Sequence, residues 1–316
     1  MKKIYVLIIG IFLLLVSSII IIIISKNDNS LVYTTFRKSY SYVSKIDEEE
    51  DIVIIIDVNN KDSFLIREEA INSCYISDKQ ENNKRKLKLN KIEYYRQIEI
   101  DQEIYYEYKF SFSFPIEAEI EEDFIIDEAF LILNFSDDSI SLYIGDFNYY
   151  KVSKIQDSSN IRISKIKGIV NVVDERKRVV GLNVKVENIS SKDLKITELN
   201  IFNENLNFDG EEVKILETEI VHNKDISELV SDYNYLDSFS KTNILNLIIN
   251  ANSSLDLFIP IVYIKDIVCN EFGFAIDFLF GEEKETYIYD DFIFFENIFY
   301  EEKQINDLNL YYYERN

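Results

Sequence analysis

Two hydrophobic patterns divide this chain. The first is an uncharged run from Ile4 to Ile24, 21 residues long. The second begins near residue 30, where apolar and polar residues alternate at period two. Tyr108-Lys109-Phe110-Ser111-Phe112-Ser113-Phe114 and Ile161-Arg162-Ile163-Ser164-Lys165-Ile166-Lys167 are examples. Alternation rich in Ile, Val, Tyr and Phe predicts strands with one face in a core and the other in water. Such strands are predicted at 33–44, 52–59, 98–114, 129–136 and 140–150, and again at 161–173, 178–187, 243–259, 272–280 and 285–295. The best helix pattern is short, Asp225 to Leu236. Many strands at short spacing, without long helical stretches between them, predict an all-β chain of sandwiches or barrels. Near Ser164-Lys165 the apolar phase slips, which predicts a bulge or bend.

The strand pattern repeats. The only two prolines, Pro115 and Pro260, are 145 residues apart. At that offset Phe112-Ser113-Phe114-Pro115-Ile116 lies on Leu257-Phe258-Ile259-Pro260-Ile261, and Leu131, Leu133 and Phe135 lie on Ile276, Phe278 and Phe280. Tyr143-Ile144-Gly145-Asp146-Phe147 lies on Ile288-Tyr289-Asp290-Asp291-Phe292. Upstream the offset becomes 128, with Ile52-Val53-Ile54 on Val180-Gly181-Leu182 and Val58-Asn59-Asn60 on Val186-Glu187-Asn188. The reading is a tandem duplication, with Phe147 and Phe292 as matching core residues. The prolines should sit at strand ends or on edge strands, since a central Pro removes a ladder bond.

A helix formed by Ile4–Ile24 would be about 31 Å long, the thickness of a bilayer core. Lys2, Lys3 and the α-amino group precede it, while Lys26 is offset by Asp28. The positive-inside rule then leaves Met1–Lys3 in the cytoplasm and the rest outside. The rival reading is a cleaved signal peptide, whose apolar region would be about 7–15 residues before a small-x-small site. Here the only small pair, Ser17-Ser18, is followed by six isoleucines. An uncleaved signal anchor in the plasma membrane, spanning once, is therefore expected.

The stretch Val184-Lys185-Val186-Glu187-Asn188-Ile189-Ser190, followed by Leu194-Lys195-Ile196, resembles a hairpin of bacterial extracellular immunoglobulin-like domains; Asp57-Val58-Asn59-Asn60 is a weaker copy. The resemblance implies architecture alone. The expected layout is two tandem immunoglobulin-like β-sandwiches behind one N-terminal transmembrane helix. In order, these are a stub 1–3, an anchor 4–24, a linker 25–32, a first sandwich 33–150, a linker 151–160, a second sandwich 161–296 and a tail 297–316.

Composition narrows the chemistry. Hydrophobic residues make up 47% and aromatics 14%, enough for packed cores, so the net charge of −23 does not signal a disordered acidic chain. The same charge argues against a nucleic-acid partner. Five Ala, no Trp and an excess of Ile, Asn, Lys and Tyr are what an AT-rich genome writes, so the aromatic content carries little functional weight. One His, His222, and two Cys, Cys74 and Cys269, cannot build a structural zinc site. The two Cys fall at non-equivalent places in the two copies, which argues for free thiols. The acidic runs Asp47–Asp51, Glu117–Asp123 and Asp290-Asp291 lack the Gly-containing calcium loop and read as solvated turns. No cofactor is expected, and weak divalent-ion binding by these turns is the one alternative kept. No acyl-transfer motif surrounds any Ser, and the Trp and Gly typical of sugar clefts are scarce, so the chain is not expected to be an enzyme.

One charge feature stands out. Residues 151–185 hold nine basic and three acidic side chains, a local net of +6. Arg162, Lys165, Lys167, Arg176, Lys177 and Arg178 form the candidate interaction patch, with the last three placed at an exposed hairpin tip. The matching turn in the first copy, Asp47–Asp51, is wholly acidic. A second basic run is Lys84-Arg85-Lys86-Leu87-Lys88. The expected function is a membrane-anchored extracytoplasmic interaction or scaffold protein that docks a protein partner or an anionic envelope polymer. The alternative is an envelope enzyme or small-ligand receptor.

Overall fold

The computed structural model describes residues 30–45, 51–100, 102–115, 123–152, 160–173, 176–216, 242–265, 269, 271–293 and 308–314. The chain is all-β, and the alternating segments become strands. In the first half these are β1 (Ser30–Phe36), β2 (Lys38–Lys45), β3 (Ile52–Val58), β4 (Ser73–Ser77), β5 (Arg85–Ile100), β6 (Glu103–Ser113), β7 (Phe124–Asn134) and β8 (Ser139–Val152). The second half supplies β9 (Ile161–Val173), β10 (Arg176–Asn188), β11 (Leu194–Phe202), β12 (Leu206–Phe208), β13 (Lys214–Ile215), β14 (Ile244–Ile249), β15 (Ser254–Tyr263), β16 (Glu271–Phe280) and β17 (Glu283–Ile293). A last strand, β18 (Leu308–Glu314), lies in the expected tail. No helix among the described residues is long and apolar enough to cross a membrane. The anchor Ile4–Ile24, the helix at Asp225–Leu236 and His222 lie outside the described residues, as do Asp47–Glu50 and Glu117–Glu122.

In the first half one hydrogen-bonded path runs β18-β1-β3-β6-β5-β4-β7-β8-β2. The long strand β5 pairs with β4 over Arg85–Leu87 and with β6 from Lys88 onward. It thereby folds the path into two layers. Ile54, Ile56, Phe110 and Phe112 from one layer meet Leu131, Leu133, Leu142 and Phe147 from the other in one buried core. In the second half the order β9-β10-β15-β12, with β13 also on β15, faces β14-β11-β16-β17. Leu182, Val184, Ile259 and Ile261 there pack with Ile196, Phe274, Ile276 and Phe278 in a separate core.

The predicted first strand, 33–44, divides at Arg37. β1 pairs antiparallel with β3, while β2 pairs parallel with β8 through eight residues. Crossing between layers requires a close approach at Gly145. Its φ is +107°, and an added Cβ would lie 2.0 Å from the Lys38 carbonyl oxygen. Only glycine accommodates both demands. The phase slip near Ser164 is a bulge, since Lys185 pairs with Lys165 and Val186 with Ile163, leaving Ser164 as the extra residue.

The duplication offset holds in part. Asn134↔Ser139 and Leu279↔Lys284 are equivalent hairpin pairs at 145, and Phe147 and Phe292 are both buried on matching strands. The prolines are not equivalent. Pro115 lies beyond the end of β6, whereas Pro260 is inside β15 opposite Gly181. Val58 pairs with Tyr106 and Val186 with Leu255, so β6 and β15 match at an offset of 149, not 145. A shift of four preserves the strand's inside–outside phase, which is why the misalignment looked consistent. Pro260 is tolerated because β12 registers from Ile261 and β13 from Phe258, leaving a break in the neighbouring strand beside it.

Cys74 belongs to the first core and Cys269 to the second; both are free and buried. Burial pushes each thiol up to about 12. Because the thiolate is the nucleophile, neither should react with iodoacetamide at pH 8 in the native protein, and both should react after unfolding. Rapid native labelling at either position would contradict this placement, and mass spectrometry of the peptides reads the result.

Candidate functional site

The two halves meet through a polar junction whose geometry starts with a bulge. In the β7–β8 pair, Ile126 opposes Phe147 and Ala129 opposes Gly145, so Asp127 and Glu128 together oppose the single residue Asp146. Such a two-against-one step bends the strand and re-aims its side chains. Glu128 adopts the left-handed φ of +52°, and its N–H donates to Asp146 Oδ1 at 3.1 Å. Asp127 and Asp146 then both reach the second half.

That half answers with the polar run Asn203-Glu204-Asn205 and with Lys265. The Lys265 ammonium donates to Asp127 Oδ1 at 2.8 Å, Asp146 Oδ2 at 3.3 Å and Glu204 Oε1 at 3.4 Å. Asn205 Nδ2 donates to Asp146 Oδ2 at 3.1 Å and to Ser39 Oγ at 3.0 Å. Asn203 Nδ2 donates to Ser39 Oγ at 2.9 Å and to Cys269 Sγ at 3.3 Å. Asn148 Nδ2 reaches Ser39 Oγ at 3.2 Å from the other side. Ser39, Asp146, Asn148, Asn203 and Asn205 are all buried. Apolar contacts flank them: the Tyr150 and Phe202 rings lie 5.4 Å apart, and Val43 closes over Gly273, where an added Cβ would come within 2.5 Å of its methyl. The Ser41 hydroxyl donates to the Phe202 carbonyl.

The charges are tuned by this arrangement. The hydrogen bond from Lys265 holds Asp127 below the usual carboxylate range, whereas burial and then the neighbouring Asp127 raise Glu204. Burial alone would lower Lys265, but its bond to Asp127 and the charges of Asp146 and Glu204 outweigh that and raise it. Asp127, Asp146 and Glu204 place carboxylate oxygens within 4.8 Å of one another, the spacing of a metal site. The centre is already taken by the Lys265 ammonium, so the cluster works as an internal ion-pair clasp. Asn148 Oδ1 and Asn205 Oδ1 have no hydrogen-bond partner and add a desolvation cost to the junction.

Four side chains of the basic patch are described. Arg162 is exposed and its Nε donates to Glu187 at 3.0 Å. Lys165 Nζ lies 3.8 Å from Asp256, and Lys167 is exposed. Arg176 and Lys177 sit in β10 opposite Val173 and Val172; their side chains lie outside the described residues. Arg178 differs from the expected exposed tip: it is 1% exposed, with its guanidinium 5.1 Å from the Tyr263 ring centroid. Arg178→Ala should lower unfolding stability by about 2 kcal/mol through the lost desolvated cation–π contact and packing. Arg162→Ala, which removes a surface ion pair, should cost at most about 1 kcal/mol. Equal shifts in urea midpoint for the two variants would contradict this placement.

Lys86 and Lys88 of the second basic run line a cavity of about 600 Å³ on the paired strands β4 and β5, together with Glu68, Tyr75 and Pro115. The junction itself was not read from the sequence. Its available signal was Asn203-Glu204-Asn205, three polar residues directly after the alternating strand β11.

No family model matches the chain, and no curated protein matches it. Among solved structures it is similar to the C-terminal domain of the AgI/II polypeptide BspA of Streptococcus agalactiae, at 11% identity and a TM-score of 0.19, covering 81% of this chain and 98% of that one. It is also similar to a titin fragment, at 10% identity and a TM-score of 0.15, covering 81% and 96%. Likenesses at this level carry no argument about fold or function.

Proposed function

We propose that the chain is a membrane-tethered extracytoplasmic interaction protein whose two halves are immunoglobulin-like β-sandwiches held as one body. The strand orders support the sandwich assignment. β1-β3-β6-β5 against β4-β7-β8 follows the A-B-E-D and C-F-G arrangement of immunoglobulin-like folds, and β9-β10-β15-β12 against β11-β16-β17 repeats it. The observation that carries the scaffold reading is the buried junction of Ser39, Asp146, Asn148, Asn203 and Asn205, clasped by Lys265. Relative motion between domains is the default unless their interface resists it. A buried, hydrogen-bonded interface fixes how surfaces on the two halves are presented together, which suits docking of an extended partner. The uncharged run Ile4–Ile24, read as an anchor, supports the placement outside the plasma membrane.

A small-ligand receptor is favoured by one observation, the cavity beside Lys86 and Lys88. Crosslinking and affinity capture of the full-length protein from native membranes separates the two. A reproducible envelope protein or anionic polymer, lost when salt is raised, supports the scaffold. Empty capture together with a small molecule retained through purification, and displaced by Lys86→Glu with Lys88→Glu, would overturn it.

A further inference from the structure

The C-terminal strand does not remain with the half that precedes it. β18 pairs antiparallel with β1 through seven consecutive residues without a register shift, from Ser30↔Glu314 to Phe36↔Leu308. By contrast, β1 registers with β3 at only two positions, Tyr33↔Val58 and Thr34↔Asp57. The continuous ladder on β1 is therefore made with a segment about 280 residues away in sequence, not with its neighbour in the sheet. Without β18, the outer edge of β1 would present a row of unpaired backbone groups, a template for any strand of compatible register.

We propose that this edge is a strand-accepting surface, and that the C-terminal strand of a second copy occupies it in exchange for the chain's own. Main-chain hydrogen bonds supply the affinity in strand addition, and they do not distinguish which chain donates the strand. The connection between β17 and β18, residues 294–307, spans up to about 48 Å when extended, which allows delivery to a neighbouring copy. Exchange of an identical element leaves every pairing in place, so its main cost is association. The ladder Ser30–Phe36 with Leu308–Glu314 thus serves as a joint between copies as well as a closure within one.

Disulfide trapping in the full-length chain tests this. Directly opposed residues in an antiparallel pair are about 4.5 or 5.5 Å apart at Cα in alternation, both within reach of a disulfide. Thr34 with Leu310 and Thr35 with Asn309 are successive register pairs and so sample both geometries. Cys74 and Cys269 are buried and stay out of the reaction. The variant carrying both Thr34→Cys and Leu310→Cys should crosslink on oxidation, which checks the ladder itself. Co-expressed copies carrying Thr34→Cys alone and Leu310→Cys alone should give a covalent heterodimer, identified by the linked peptides. Tenfold dilution of the purified protein, with time to re-equilibrate before oxidation, should lower its fraction about tenfold in the dilute limit by mass action. The same scheme applies to Thr35→Cys and Asn309→Cys. Intrachain crosslinking with no heterodimer at any concentration, from either register pair, would overturn the exchange. No crosslink of any kind from either pair would overturn the ladder and the proposal with it.

Discussion

Phe147→Ala should lower the stability of the first half by about 3–5 kcal/mol, the range for truncating a core aromatic. Phe147 is fully buried, and its ring lies 5.5 Å from Tyr42, 5.9 Å from Phe124 and 6.5 Å from Phe114. Its strand, β8, is held between β7 and the parallel strand β2, so the surroundings have little freedom to collapse into the void. A typical domain has only about 5–15 kcal/mol in total, so the variant should lose a large part of its stability. The exposed residue Ile125 on β7 serves as a control, and Ile125→Ala should stay within about 1 kcal/mol. Urea unfolding followed by far-ultraviolet circular dichroism reads both. Equal midpoints for the two variants would mean that Phe147 is not where the structure puts it.

The path from sequence to this core was legible because alternation records which face of a strand is buried. β3, β9, β10, β16 and β17 fall close to their predicted bounds, and the bulge at Ser164 was visible as a slip in phase. Partner choice was not legible in the same way. Residues 33–44 are predicted as one strand, yet Arg37 divides them between two layers, because β1 pairs with β3 nearby whereas β2 pairs with β8, about a hundred residues further on. The pairing of β18 with β1 has the same cause. Arg178 was misplaced because a run of basic residues reads as solvated surface, whereas β10 is buried on both faces from Arg178 to Val184 and the guanidinium finds the Tyr263 ring. The junction was hidden for a related reason. Asp146 follows Gly145 in a strand pattern that fixes only its face, and nothing local reports that Asn205 and Lys265 arrive opposite it.

Asp146→Ala should cost about 3 kcal/mol and loosen the two halves. The carboxylate is 2% exposed and accepts from the Glu128 N–H, from Asn205 Nδ2 and from Lys265 Nζ. Its removal strands one buried amide hydrogen of Asn205, whose other bond to Ser39 remains, and the partly buried Glu128 N–H, and each unsatisfied group costs about 1–3 kcal/mol. The Lys265 contribution is smaller, since that ammonium is partly exposed and screened by solvent. Asp146→Asn keeps one acceptor and should recover about half of the loss. The amide protons of Glu128 and Asn205 should exchange faster with deuterium in Asp146→Ala, while those of Leu131 and Ile276, deep in the two cores, should keep their protection. A uniform rise in exchange across both cores would assign Asp146 to global folding instead of to the junction.

Whether Ser39, Asp146, Asn205 and Lys265 hold the two halves as one body can be read from a distance distribution. Gln80 and Glu282 are exposed, one on each half, and spin labels placed there in the full-length chain report the separation by pulsed electron resonance. A single narrow distribution that broadens in Asp146→Ala is the expected result. A broad distribution in the unaltered junction, or one that Asp146→Ala leaves unchanged, would contradict it.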